Sequence, residues 1–105
     1  MSDYIQVVTT FAGRDAAEAA AADLVDRRLA ACAQVAGPIM SVYRWNGETE
    51  RTEEYSLTIK TRRDRFAAVE AALLELTSYE TPEILALPVV VGHENYLRWI
   101  DANVG

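Results

Sequence analysis

The sequence predicts an α+β fold, a ferredoxin-like βαββαβ sandwich of one antiparallel sheet and two helices, followed by a short C-terminal helix. Three observations carry this. Extended and helical patterns alternate in the order βαβ-βαβ, an Asn46-Gly47 pair separates two extended runs, and Pro38 and Pro88 fall in the second and fourth strand segments. Asn-Gly is the strongest short-range hairpin signal, because both residues tolerate positive φ. In this topology the second and fourth strands lie at the sheet edges, where a missing proline N–H is tolerated.

The first strand is YIQVVTTF, Tyr4 to Phe11, which alternates, is rich in β-branched residues and is closed by Gly13. A helix over DAAEAAAADLVDRRLAA follows, opened by the capping-box pair Asp15 and Glu18, with Ala17, Ala21, Leu24, Val25 and Arg28 or Leu29 at helical spacing. Cys32 to Trp45 returns to extended chain, and EYSLTIKT forms the second arm of the hairpin. Its Tyr55, Leu57 and Ile59 share one face, and Glu54, Ser56, Thr58 and Lys60 the other. Thr61 and Asp64 open a second helix with Phe66, Val69, Leu73 and Leu76 as its buried stripe. ILALPVVV, Ile84 to Val91, reads as a buried last strand, and Gly92 breaks it before a terminal helix carrying Tyr96, Leu97, Trp99 and Ile100. Cys32 to Lys60 is longer than a sheet of this size needs, so a protruding hairpin with exposed edges should pair with another copy as a homo-oligomer.

The bulk properties narrow the function. A 105-residue chain that is 50% hydrophobic suits a single domain spanning residues 1–105. A net charge of −6 repels phosphate backbones and attracts cations, so nucleic acid is not an expected partner. The strand EYSLTIKT also lacks the aromatic, glycine and basic pattern of a ribonucleoprotein motif. No window approaches the roughly 20 apolar residues of a membrane span, and the N-terminus has no secretory pattern. With Cys32 as the only cysteine, no internal disulfide can form, and a cytoplasmic location is expected.

No nucleophile-and-base arrangement is legible: the sole histidine, His93, follows Gly92 at a helix start, and neither G-x-S-x-G nor P-loop spacing occurs. The chain is therefore read as a non-enzyme. Cys32 reads either as a small buried core residue or as a thiolate for a soft metal such as Cu(I), with Met1, Met40 and His93 as the only further soft donors. Glu80 and Glu83, in YETPEI, mark a turn around Pro82; either they are solvated, or one faces inward and pairs with Lys60 or Arg62. Trp45 and Trp99 read as packing residues, with the hairpin tryptophan also able to stack on a partner subunit.

RLAACAQV, SVYRWNGE, the E-x-x-L-x-I-K-T run from Glu54 to Thr61, YETPEI and YLRWI occur in the order and spacing of the CutA family of divalent cation tolerance proteins. This resemblance covers nearly the whole chain. It implies a homotrimer, similar in architecture to the PII signalling proteins, with long hairpin strands pairing between subunits. It also implies a part in the response to metal ions, with copper or zinc as the divalent cation bound. Carried over residue by residue, it assigns Cys32, Glu80 and Glu83 to metal and Trp45, Glu54, Lys60, Tyr79 and Trp99 to an intersubunit cleft. Where the family reads His-Pro-Tyr-Glu, this chain has Thr77, Ser78, Tyr79 and Glu80, which removes the natural imidazole donor. The alternatives are a PII-like regulatory trimer with a small ligand in its clefts, or a chiefly structural trimer.

Overall fold

The computed structural model describes residues 3–105; Met1, considered above as a thioether donor, lies outside them. The elements are β1 (Tyr4–Phe11), α1 (Arg14–Asp26), β2 (Cys32–Trp45), β3 (Glu48–Arg62), a 3-10 turn (Arg63–Arg65), α2 (Phe66–Leu76), β4 (Leu85–Pro88) and α3 (Glu94–Asn103). The sheet order is β2-β3-β1-β4 with antiparallel pairing throughout, so the expected ferredoxin-like fold is present and both strand prolines sit on edge strands. Asn46 and Gly47, at φ 51° and 81°, make the predicted tight turn.

Pairing of Ile5 with Thr61, Val7 with Ile59 and Thr9 with Leu57 defines the helix-covered face. Ile5, Val7, Phe11, Leu57 and Ile59 close there against Ala17, Ala20 and Leu24 of α1 and Val69, Ala72 and Leu73 of α2. The alanines let α1 approach the strands closely. The opposite face carries Gln6, Val8, Thr10, Glu54, Ser56, Thr58 and Lys60 by strand alternation. One end of it is closed by α3, whose Ile100 packs with Val104, Ala31, Tyr4 and Leu97.

Several expected boundaries move. Helix α1 begins at Arg14 with Gly13 as its cap and no side-chain capping bond, so Asp15 lies inside the first turn instead of forming a box with Glu18. There it still favours the positive end of the helix dipole. The helix ends at Asp26, not Ala31, because Arg28 adopts φ 58° and its guanidinium donates to the carbonyls of Ala102 and Asn103. That tertiary contact overrides good helical propensity, and Val25 is left 39% exposed. Thr61 opens no helix: it lies inside β3, paired with Ile5 and fully buried, with Oγ1 donating to the Leu29 carbonyl at 2.7 Å. Of the predicted α2 stripe, Leu76 is exposed because the helix stops on it, and Ala72 takes a core place.

The last strand is not buried. Only Leu85–Pro88 is a strand, pairing with β1 alone, and β1 begins at Tyr4, so beyond the Val89 N–H to Tyr4 carbonyl bond there is no strand to pair with. Leu85, Leu87, Val90 and Val91 are exposed in the single chain. Beyond the pairing of Phe11 with Tyr55, β2 and β3 continue alone as a two-stranded ribbon, which lengthens the molecule to 45 Å.

Candidate functional site

The site begins with a bulge. In the first half of β2 the even residues Cys32, Gln34 and Ala36 face the same side as Lys60, Thr58 and Ser56. Between Ala36 and Ile39 one extra residue enters at Gly37-Pro38, after which Ile39 opposes Glu54 and Ser41 opposes Thr52. Since side chains alternate, this insertion switches parity and brings Ser41, Tyr43 and Trp45 onto the face that carries Glu54.

Glu54 is buried there, 9% exposed. Its Oε2 accepts hydrogen bonds from Thr10 Oγ1 at 3.1 Å and from the Tyr79 hydroxyl at 2.7 Å. Burial pushes the Glu54 carboxyl upward, but hydrogen bonds from Ser41, Tyr79 and Thr10 outweigh it and hold the group below the usual carboxylate value. Tyr79 is pushed far above the ordinary phenol value by burial, by its bond to Glu54 and by that carboxylate's charge. It is therefore a fixed donor at physiological pH.

Tyr79 comes from the segment between α2 and β4, which leaves the helix at Thr77 and runs beside the end of β1 before Leu85 pairs with Val8. Thr77 shapes the turn by accepting the Tyr79 N–H at 3.1 Å. The Thr77 hydroxyl thus supplies a side-chain acceptor for a backbone N–H in this turn. Between this segment and the hairpin lies a cavity of about 590 Å³, walled by Thr10, Ser41, Tyr43, Trp45, Glu54 and Tyr79 and rimmed by Glu80 and Glu83.

Two outcomes follow from the hydrogen bonding. Tyr79→Phe is expected to cost about 1–3 kcal/mol, the usual cost of removing a donor to a charged group, as read from the urea midpoint at neutral pH. For pH, the folded Glu54 pKa lies below its ordinary 4.5. Its contribution is therefore complete above that value and is lost as pH falls from there through the folded pKa. Glu54→Gln should flatten the fall in stability below about pH 4.5; an unchanged slope would remove Glu54 from this account.

The remaining assigned residues lie elsewhere. Lys60 shares the sheet face of Glu54 but stands six residues along β3, about 20 Å away at the rise of an extended strand, opposite Cys32. Its Nζ lies 5.7 Å from the centre of the Tyr96 ring, and Tyr96 stacks on Trp99 with ring centres 5.4 Å apart. Within the chain Lys60 is thus no partner of Glu80 or Glu83, and Arg62 pairs with Asp64 and Asp101 instead. Cys32 is half-buried rather than a core residue. Among the described residues no three His, Cys, Asp or Glu side chains come together to hold a metal, so Cys32, Glu80 and Glu83 do not form one site in a single chain. His93 caps α3 and is exposed. Thr10, Ser41 and Tyr43 belong to the site although sequence reasoning did not select them. Only the spacing of Tyr43, two residues before Trp45 and so on the same strand face, could have pointed to one of them.

Two groups therefore occupy opposite ends of one sheet face. Trp45, Glu54, Tyr79, Glu80 and Glu83 gather around the cavity, while Cys32, Lys60, Tyr96 and Trp99 gather by α3.

Known proteins share this architecture. The family model of the CutA1 divalent ion tolerance protein matches residues 5–103. The divalent-cation tolerance protein CutA of Thermus thermophilus is 36% identical over 99 residues, covering 94% of this chain and 96% of the relative. The crystal structure of CutA from Xylella fastidiosa has a TM-score of 0.95 at 36% identity, covering 99% of this chain and 100% of the other. The structure of the periplasmic divalent cation tolerance protein CutA from Archaeoglobus fulgidus has a TM-score of 0.94 at 34% identity, covering 97% and 99%. These names denote tolerance to ions and no catalysed reaction, in keeping with a non-enzyme. Matching along nearly its whole length in sequence and in fold, the chain belongs to the CutA1 divalent ion tolerance protein family.

Proposed function

We propose that this protein is a homotrimeric cation-binding protein of the cytoplasm that contributes to divalent metal tolerance, with copper as its principal cargo and zinc as the second. The observation that carries the reading is the division of the assigned residues into two groups at opposite ends of one open sheet face, one acidic and one bearing Cys32 and Lys60. Each group is half of a cleft. In a ring of copies the acidic end of one chain meets the Cys32 end of the next, and the intersubunit cleft then holds Trp45, Glu54, Lys60, Tyr79 and Trp99 together.

Exposed surface supports assembly. Met40, Val42, Tyr43 and Trp45 on the hairpin and Leu85, Leu87, Val90 and Val91 at the β4 edge are apolar and uncovered in the single chain, and strands β2 and β4 each leave an edge unpaired. Such edges are covered by pairing with another copy. The metal donors in this reading are the Cys32 thiolate, suited to Cu(I) or zinc, and the harder carboxylates Glu80 and Glu83. Because they are separated along the chain, a site using both is shared between subunits. Within the single chain, three carboxylates and, among the described residues, no basic side chain line the cavity, which favours a cation over an anionic ligand at this end of the face.

Titration with Cu(II) and Zn(II), read as bound metal per chain alongside oligomer mass, tests the proposal. The expected result is a trimer that takes up about one ion per chain, with uptake reduced in Cys32→Ser and in the double variant Glu80→Ala, Glu83→Ala. An intact protein with no saturable uptake would overturn the metal reading, and a monomeric mass would overturn the cleft. The compartment is tested separately by cell fractionation, since one relative's structure is described as periplasmic.

A further inference from the structure

We infer that the cavity between the hairpin and the segment around Tyr79 binds an organic cation, an ammonium or guanidinium head carried on apolar carbon, with Glu54 as its counter-charge and Tyr43 and Trp45 as its aromatic walls. The inference deepens the proposed reading of this cleft as cation-binding and rests on it.

Glu54 is the first argument. It is more than nine-tenths buried and lines the cavity, yet its hydrogen bonds come from the neutral hydroxyls of Thr10, Tyr79 and Ser41. Among the described residues no lysine, arginine or histidine forms an ion pair with it. Hydroxyl donors satisfy lone pairs but leave a net negative charge in a poorly solvated place, and buried charges are ordinarily paired. Glu80 and Glu83 at the rim deepen the negative field. An arriving cation completes the arrangement.

The second argument is the shape and chemistry of the walls. A space of about 590 Å³ lies in the range of small-molecule pockets and far exceeds what one metal ion needs. Its carboxylates do not converge as metal ligands. Tyr43 and Trp45 both line the cavity, and aromatic faces attract a cation that also carries hydrocarbon. Ser41 and Thr10 add hydroxyl oxygens able to accept N–H donors. A bare divalent ion uses none of the aromatic surface, whereas an alkylammonium or alkylguanidinium uses both carboxylate and rings.

That head group has two sources: a free amine, or a lysine or arginine side chain from a second copy, with Lys60 as the candidate. Calorimetric titration of the assembled protein with n-butylammonium and n-butylguanidinium, against n-butanol as the uncharged control, separates them. For a free ligand the expected result is saturable, mutually competitive binding of both cations. It should be about tenfold or more tighter than n-butanol, and weakened about tenfold or more by Glu54→Gln. Should Glu54→Gln fail to fold, Trp45→Leu on the exposed ribbon carries the same test, with a loss of roughly threefold or more.

For a side chain from a second copy, neither cation binds, and Lys60→Met and Glu54→Gln each weaken assembly while the double variant weakens it no further. Absence of cation binding together with additive or absent effects on assembly overturns the inference. Copper and zinc uptake measured on the same samples keeps the two readings apart. Metal uptake without either amine result removes this inference alone, and amine binding without metal uptake removes the metal reading alone.

Discussion

Leu57→Ala is expected to lower the free energy of unfolding by about 2–5 kcal/mol, the range for truncating a fully buried leucine. Leu57 is 0% exposed at the middle of β3, with Thr9 of β1 on one side and Val35 of β2 on the other. Truncation removes side-chain volume where strands on both sides and the helices above restrict collapse, so a cavity term adds to the lost transfer energy. A domain of this size is stable by only about 5–15 kcal/mol, which makes this substitution a large fraction of the total. Denaturant unfolding at fixed protein concentration measures it, because assembly makes the midpoint concentration-dependent. Leu74→Ala on α2, where the side chain is 55% exposed, is the control and should stay within about 0.5 kcal/mol of the parent. A loss below about 1 kcal/mol at Leu57 would mean that the core is not centred on β3.

Elements specified by neighbouring residues were legible, and those specified across the chain were not. Asn46-Gly47 carries its turn locally, and the alternation of Leu57 and Ile59 marks the core face whatever the partner strand is. Arg28 reads as helix in sequence, but it turns left-handed because its guanidinium finds the carbonyls of Ala102 and Asn103, more than 70 positions away. The run from Ile84 to Val91 looks buried because its residues are apolar, yet burial depends on what covers an edge strand, which composition does not record. At the site, Trp45, Glu80 and Glu83 stood out from the residues themselves, the cleft assignment of Glu54 and Tyr79 came from family resemblance, and the five do surround one cavity. Thr10 and Ser41 join it through strand register and a bulge. Lys60 and Trp99, named with them, lie at the far end because six residues of extended chain intervene.

Gly37→Val is expected to destabilise the protein by about 3–5 kcal/mol and to disorganise the site as well, with Gly37→Ala costing about 2–4 kcal/mol through its Cβ alone. Gly37 has φ +151°, which side-chain-bearing residues rarely adopt, and strain of that kind costs of order 1–3 kcal/mol. A Cβ there would stand 2.6 Å from Tyr55 Cδ2, 3.1 Å from the Glu54 carbonyl oxygen and 3.2 Å from Tyr55 Cα. The ring could swing aside only by leaving the Arg14 guanidinium that lies 4.9 Å from its centre. The two backbone atoms belong to paired β3 and cannot yield without parting the strands. If the chain relieves the clash by losing the extra residue of the bulge, the outer ribbon shifts parity. Ser41, Tyr43 and Trp45 then turn away from Glu54. Global unfolding and the acid dependence of stability, measured together, test both parts. The folded fraction of Gly37→Ala should also show a weaker dependence on pH below about 4.5, because Glu54 has lost its Ser41 donor. Stability within about 0.5 kcal/mol of the parent with an unchanged acid slope would show that the ribbon does not need glycine there. The bulge would then not be what delivers the aromatic wall to the buried carboxylate.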